Sequence, residues 1–130
     1  MWTLDVRTTE RVSFVDISRD VAGLVRDAGD GAVLVYVPHT TAGVTINEDA
    51  DPSVRADLAM ALDRLVPGDL PFTHLEGNSD AHTRASLMGS SVLVPVMRGA
   101  LQLGTWQGIY FAEFDGPRTR RVIVSVLAAG

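Results

Sequence analysis

The alternation of hydrophobic and polar residues predicts two strands at the start of the chain. Residues Trp2 to Arg7 alternate in character, and Val12 to Ile17 do so again. The polar segment Thr8-Thr9-Glu10 lies between them. Two alternating runs joined by a short polar segment are typical of a β-hairpin. We therefore expect the chain to open with its first two strands paired to each other.

Three helices are indicated by capping residues and by apolar positions at helical spacing. The first follows Ser18, which can cap it, and has an apolar stripe formed by Val21, Leu24 and Val25. The second begins at Asp51-Pro52, where a carboxylate can cap and proline suits the first helical position. Its predicted apolar face is Val54, Leu58, Ala61, Leu62 and Leu65. A third, short helix is predicted from a cap at Asp80 to about Met88, with Gly89 closing it.

Apolar runs elsewhere predict six further strands. They are Ala32 to Val37, Val44 to Ile46, Ser91 to Val96, Ala100 to Leu103, Trp106 to Phe114 and Arg121 to Leu127. The predicted order of elements is therefore ββαββααββββ. Strands joined by short turns, with helices inserted in groups, favour an α+β fold with a mostly antiparallel sheet or sandwich and two to three helices. We expect a single domain over residues 1–130.

Composition limits the classes of protein to which the chain can belong. It has 130 residues, 46% of them hydrophobic, and a formal net charge of -5, which argues against a nucleic-acid binder. It contains no cysteine, so any metal must be held by His, Asp or Glu. No apolar stretch reaches transmembrane length and the start of the chain does not resemble a signal peptide, so we expect no membrane partner and a cytoplasmic location.

All three histidines of the chain lie in polar segments where a core-building sequence would place apolar residues. His39 directly follows a predicted strand, and His74 and His82 are eight residues apart. That separation is not the spacing of a helical zinc motif, and each histidine taken alone could simply bond to a neighbouring backbone group. Three imidazoles with water in a fourth position would nevertheless match an open catalytic zinc site, or one for another first-row ion.

Other polar residues in these segments have both a chemical and a structural interpretation. Glu48, with Asp49 and Asp51, could act as a general base or bind a cation, although Asp51 is better explained as a helix cap. Asn78-Ser79-Asp80 could bind an anion at a helix start, or Asp80 could itself be the cap. Neutral groups suited to a phosphate or a polar ring are Thr40, Thr41, Ser79, Thr105 and Gln107.

Two charged features near the end of the chain are left with alternatives. For the cluster Arg118, Arg120 and Arg121, a solvated turn is favoured over a phosphate-binding role. Glu113 alternates with its neighbours on a predicted strand, and the pattern does not decide between an inward and an outward carboxylate.

Several of these segments together resemble the YjbQ-like family, also called secondary thiamine-phosphate synthase. The segment from His39 to Ala42 leading to Ile46–Pro52 is similar to its first motif, and His74 to His82 to its second. Leu87–Ser91, Leu103–Tyr110 and Glu113–Arg118 are similar to the motifs that follow. The resemblance covers nearly the whole chain.

The resemblance implies a small α+β protein that assembles as a homotrimer. It also implies an activity that joins hydroxymethylpyrimidine diphosphate to thiazole phosphate and releases pyrophosphate. On this hypothesis His39, His74 and His82 stabilise the leaving group, directly or as ligands of a divalent metal, with Glu48 among the catalytic residues. Asn47, Asn78 and Asp80 would orient the histidines, contact substrate or complete a metal shell. Thr40, Thr41, Thr105 and Gln107 would contact a phosphate or ring.

Two other classes of function remain open from the sequence. One is a non-catalytic module that binds a metal or a small phosphorylated ligand. The other is a metal-dependent hydrolase of a small phosphate ester.

Overall fold

The computed structural model describes residues 1–129, and it has the predicted α+β class. Its elements in chain order are β1 Trp2–Arg7, β2 Ser13–Asp16, α1 Ser18–Leu24, β3 Gly31–Tyr36, β4 Ala42–Glu48, α2 Pro52–Leu65, α3 Ser79–Met88, β5 Ser91–Met97, β6 Ala100–Leu101, β7 Gln107–Glu113 and β8 Thr119–Ala128. The order ββαββααββββ is confirmed.

The strands form two antiparallel sheets. One has five strands in the order β1-β8-β3-β5-β6, and the other has three in the order β2-β7-β4. Alternate residues of each strand point to opposite faces. In the small sheet both faces are apolar, since β7 contributes Phe111 to the main core on one face and Tyr110 to a second cluster on the other. The main core includes Val33 and Val124 from the large sheet, Val44 and Phe111 from the small sheet, and Val21 from α1.

The predicted N-terminal hairpin is wrong. Strand β1 pairs with β8, where Leu4 lies opposite Val122, and β2 pairs with β7, where Phe14 lies opposite Ala112. The first two strands therefore belong to different sheets. The physical reason is burial: Val6 packs in the main core, whereas Phe14 packs in a second cluster beneath the helices. Pairing β1 with β2 would remove one of these two side chains from its apolar cluster.

The predicted caps of the first two helices have different outcomes. The Asp51 carboxylate accepts the backbone N–H of Ser53 at 2.9 Å, which confirms that cap. Ser18 does not cap α1, since Ile17 occupies the N-cap position. The Ser18 hydroxyl instead accepts the backbone N–H of Ile109 at 2.8 Å and so ties α1 to β7. Sequence spacing alone could not reveal this long-range acceptor role.

Helix α2 covers the second apolar cluster only partly. Leu58 and Leu62 from its predicted face pack against the cluster that contains Phe14, Tyr110 and Phe114. No residue of α2 is fully buried, and Leu65 is 72% exposed. Within residues 1–129, no helix is both long enough and apolar enough to cross a membrane.

Candidate functional site

His39 is held where strand β3 gives way to a loop. Its Nε2 accepts the backbone N–H of Arg121 at 3.0 Å. Arg121 lies on β8, the strand that pairs with β3. The pairing of these two strands therefore fixes the position of the imidazole. An acceptor at Nε2 requires a free lone pair there, and the neutral ring therefore carries its proton on Nδ1. The result is a fixed imidazole whose remaining polar atom is a donor.

Two neighbouring cavities meet at His39. The first has a volume of about 630 Å³ and is lined by Tyr36, Val37, Pro38, His39, Thr40, Thr41, Ser90, Arg118 and Arg120. The second, of about 480 Å³, is lined by His39, Thr40, Ala42, His82, Ala85, Ser86, Gly89 and Ser90. The side chains common to both are His39, Thr40 and Ser90, so an arginine-lined cavity adjoins one that contains a second histidine.

The other two predicted histidines continue this arrangement. The rings of His82 and His74 lie edge to face, with their centroids 5.3 Å apart and their planes at 86°. His74 also lines a third cavity of about 760 Å³ on the loop before α3, where its Nε2 lies 4.0 Å from Glu76 Oε1. The structure thus links His39 to His82 through a shared cavity, and His82 to His74 by ring contact.

The donor set does not fit the predicted three-histidine metal centre within one chain. Among residues 1–129, no three His, Asp or Glu side chains are grouped so that they could hold a metal ion. The Nε2 lone pair of His39 is also occupied by the Arg121 N–H, and its Nδ1 carries the proton. A metal ligand needs a free lone pair. The divalent metal therefore stays a prediction.

The protein environment favours the neutral form of His39. Burial lowers the pKa of His39 below its ordinary value of 6.5, and the positive charge of Arg120 lowers it further. Protonation would also replace the Nε2 lone pair by an N–H and break the bond from Arg121. His39 is thus suited to donating a hydrogen bond from Nδ1 near neutral pH.

This neutral state predicts a pH dependence of stability. Below about pH 6.5 the unfolded chain binds a proton at residue 39 that the folded chain resists, so the free energy of unfolding falls as the pH is lowered. The loss should stay below about 1 kcal/mol, because His39 is partly solvated. Urea unfolding at several pH values should show a smaller decline for His39→Asn than for the wild type. A Thr83→Ala control should keep the wild-type slope; an unchanged slope in His39→Asn would contradict the prediction.

A buried pair of charged side chains lies beside this cavity pair. Glu113 is 0% exposed and Arg120 is 3% exposed, and their side chains form an ion pair. Thr8 donates its hydroxyl to Glu113 Oε1 at 2.8 Å, and Arg120 Nη2 donates to Thr41 Oγ1 at 2.9 Å. Burial by itself would raise the pKa of Glu113, but bonds from Arg120, Thr8 and the Asp115 N–H lower it overall.

The interpretation of the arginine cluster as a solvated turn is wrong for Arg120. A signal for its burial is present in the sequence: Arg120 is in phase with Val122 and Val124 on β8, both 0% exposed, whereas Arg121 is out of phase. Alternation along the strand would therefore have separated the inward arginine from the outward one. The sequence does not decide the direction of Glu113; in the structure its side chain points inward and pairs with Arg120.

Asp80 and Asn78 are engaged by other parts of the protein. Asp80 is not the N-cap of α3, since Asn78 occupies that position. The Asp80 carboxylate accepts two bonds from Arg11, at 3.1 and 3.2 Å, and lies 3.7 Å from the guanidinium of Arg84. Asn78 donates to Asp115 Oδ2 at 2.8 Å. Both side chains therefore tie the start of α3 to neighbouring segments. Thr41 is likewise bound to Arg120, whereas Thr40 is exposed at the cavities.

Four predicted site residues lie at the other end of the small sheet. Glu48 is opposite Gln107, and Asn47 is opposite Gly108, in the β4–β7 pair. The length of β4 separates this end from the His39 loop by about 20 Å. Gln107 Oε1 accepts the backbone N–H of Gly104, closing the loop that contains Thr105. A single chain thus does not bring Asn47, Glu48, Thr105 and Gln107 to the histidines.

Comparison with known proteins gives consistent matches over the whole chain. A family model described as UPF0047 protein YjbQ-like matches residues 2–129. UPF0047 protein MJ1081 of Methanocaldococcus jannaschii is 47% identical over 98% of this chain and 94% of its own length. UPF0047 protein YugU of Bacillus subtilis is 48% identical over 96% of this chain and 97% of its own. The crystal structure of an uncharacterized YjbQ/UPF0047 protein from Clostridium acetobutylicum is 47% identical with a TM-score of 0.95, covering 98% of this chain and 100% of that one.

Proposed function

Because this chain belongs to the YjbQ-like UPF0047 family, we propose that its paired cavities bind small phosphorylated molecules and support a thiamine-phosphate synthase-type transfer. The observation that carries the proposal is the junction at His39. There a cavity with two arginines adjoins one with His82, and Thr40 and Ser90 supply hydroxyls to both. A site with cationic, imidazole and hydroxyl donors suits a ligand rich in phosphoryl oxygens.

The transfer needs stabilisation of a leaving group more than it needs a strong base. The thiazole nitrogen forms a bond to the methylene carbon of the pyrimidine, the bond from that carbon to the diphosphate oxygen breaks, and pyrophosphate leaves. Negative charge grows on the departing oxygens, where hydrogen-bond donors lower the barrier most. Neutral His39 offers Nδ1–H for this role, and the arginines of the first cavity offer charged donors. His82 lies where it would contact the second substrate.

Exposed apolar side chains support assembly into a homotrimer as part of the proposal. Leu65 at the end of α2 and Leu75 in the following loop are 72% and 100% exposed. Apolar surface of this kind is typical of subunit interfaces. Assembly also offers a route by which Glu48 and Gln107 of one subunit approach the histidines of another.

Incubation of purified protein with the two thiamine precursors tests the proposed activity. We expect thiamine phosphate and pyrophosphate to form in equal amounts, and His82→Ala to lower the rate about tenfold or more, the cost of losing one hydrogen bond to a charged group. Thr83→Ala is the matched control, since Thr83 is the next residue of α3, is exposed and does not line the second cavity. Its rate should equal that of the wild type.

The alternative functions give different results in the same experiment. Saturable binding of either precursor without product would identify a non-catalytic ligand-binding module. Release of inorganic phosphate without joining of the rings would identify a phosphate-ester hydrolase. Metal analysis and a chelator added to the assay test the predicted divalent ion separately. An equal rate in His82→Ala and Thr83→Ala would remove His82 from the proposal.

A further inference from the structure

The guanidinium of Arg120 has donors that the protein leaves unused. Its Nε bonds to both oxygens of Glu113, and its Nη2 bonds to Glu113 and Thr41. No oxygen in residues 1–129 accepts a hydrogen bond from Nη1. A guanidinium carries five N–H groups, so the two on Nη1 remain available although the side chain is only 3% exposed.

The cavity meets the positive member of the buried pair. Arg120 is one of the residues that line the 630 Å³ cavity, whereas Glu113 is completely buried and is not among the lining residues of the described chain. A ligand there would contact guanidinium nitrogen and not carboxylate oxygen. Because Glu113 and Thr41 already hold the side chain in place, binding a ligand would cost Arg120 little conformational entropy.

The neighbours of Arg120 are suited to the same class of ligand. His39, Thr40 and Ser90 line the cavity, and Arg118 adds a second charge from a side chain that is 51% exposed and paired with Asp115. Burial is the largest cause of the lowered pKa of His39, and the charge of Arg120 is the second largest. The electrostatic field of Arg120 therefore reaches the imidazole. With a net charge of -5, the chain as a whole repels anions, and any anion held here must be bound by these local donors.

We infer that Arg120 is the phosphoryl-binding residue of the first cavity, holding a diphosphate group through Nη1 beside the Nδ1–H of His39. The inference rests on the proposed function for the identity of the ligand, since a diphosphate is the leaving group of that reaction. It assigns the diphosphate to the cavity of Arg120 and leaves the cavity of His82 for the second substrate. Arg118 contributes less, because its charge is solvated and already paired.

Titration calorimetry with inorganic pyrophosphate tests this assignment without any turnover. We expect the wild type to bind, and Arg120→Lys to bind about tenfold or more weakly, as the loss of a charge-assisted contact predicts. Lysine keeps the charge that pairs with Glu113, but it has no second terminal nitrogen corresponding to the Nη1 that Arg120 leaves free of this partner. Arg118→Gln should lose only about threefold. Arg7→Gln is the control for net charge, since Arg7 is exposed on β1 and does not line the cavity, and its affinity should be unchanged.

A double variant, Glu113→Leu with Arg120→Met, covers the case in which Arg120→Lys does not fold. It replaces the whole buried pair by apolar side chains and should also lose pyrophosphate binding. Wild-type affinity in either variant, or no binding by the wild type at millimolar pyrophosphate, would overturn the inference. If the wild type forms thiamine phosphate and Arg120→Lys binds pyrophosphate as tightly as the wild type, the inference is overturned and the proposed function stands. Loss of pyrophosphate binding in Arg120→Lys, together with no thiamine phosphate formed by the wild type, would support the anion site and reject the synthase activity.

Discussion

Replacing Glu113 with alanine should destabilise the fold by about 3–5 kcal/mol, the usual cost of removing one member of a buried ion pair. The change leaves the guanidinium of Arg120 uncompensated, although it is almost completely buried. It also removes the acceptor for the Thr8 hydroxyl and for the backbone N–H of Asp115, at 2.8 and 3.1 Å. Equilibrium unfolding in urea at pH 7 would measure the loss.

Two further variants separate the charge from the packing. Thr8→Ala removes one neutral hydrogen bond to Glu113 and should cost about 1 kcal/mol. Replacement of both charges, Glu113→Leu with Arg120→Met, should recover much of the stability lost in the single variant, because buried pairs exchange well for apolar residues of similar volume. A loss of less than about 1 kcal/mol in Glu113→Ala would contradict a buried ion pair. So would a larger loss in the double variant than in Glu113→Ala.

Replacing Asp80 with alanine should cost about 3 kcal/mol, because the buried guanidinium of Arg84 would lose its buried carboxylate and keep an exposed one, Asp63. The side chain of Arg84 is 2% exposed and lies 3.7 Å from Asp80, whose own side chain is 8% exposed. Arg11 also loses its two bonds to this carboxylate. Thermal and urea unfolding would both report the change, and pyrophosphate affinity measured on the remaining folded protein should be unaltered.

Asp63 provides the matched control for Asp80. It also pairs with Arg84, at 3.2 Å, but its side chain is 78% exposed. Exposed pairs contribute little, so Asp63→Ala should cost less than about 1 kcal/mol. Equal losses in the two variants would mean that burial does not set the value of these contacts. Weaker pyrophosphate binding in folded Asp80→Ala would restore the ligand-binding role that the sequence suggested.

The sequence predicts the elements of this fold better than their partners. Alternation identifies β1 and β2 as strands, because each exposes one face and buries the other. It carries no information about which strand lies alongside, and β1 pairs with a strand more than 110 residues later, where Trp2 lies opposite Val124. Proximity in sequence predicts a hairpin, whereas the pairing is decided by which core each side chain reaches.

The sequence likewise predicts some features of the candidate site but not which of its residues lie together. The sequence indicates that polar segments around His39 and His82 are chemically unusual, and the structure brings both to one cavity. The sequence does not indicate that Glu48 lies at the opposite end of its sheet. Its distance from the histidines depends on β4 running unbroken from Ala42 to Glu48. The sequence does not predict the buried pair of Glu113 and Arg120, because a charged residue near a turn ordinarily faces water.

The place of β8 in the large sheet has a consequence for biosynthesis. This strand lies between β1 and β3, although it is the last of the three to be translated. While the ribosome still holds the segment from Thr119 to Ala128, β1 has no neighbour and His39 has no Arg121 amide to fix it. Strand β1 must therefore stay unpaired until β8 has been translated, which makes this protein a candidate for chaperone protection during translation.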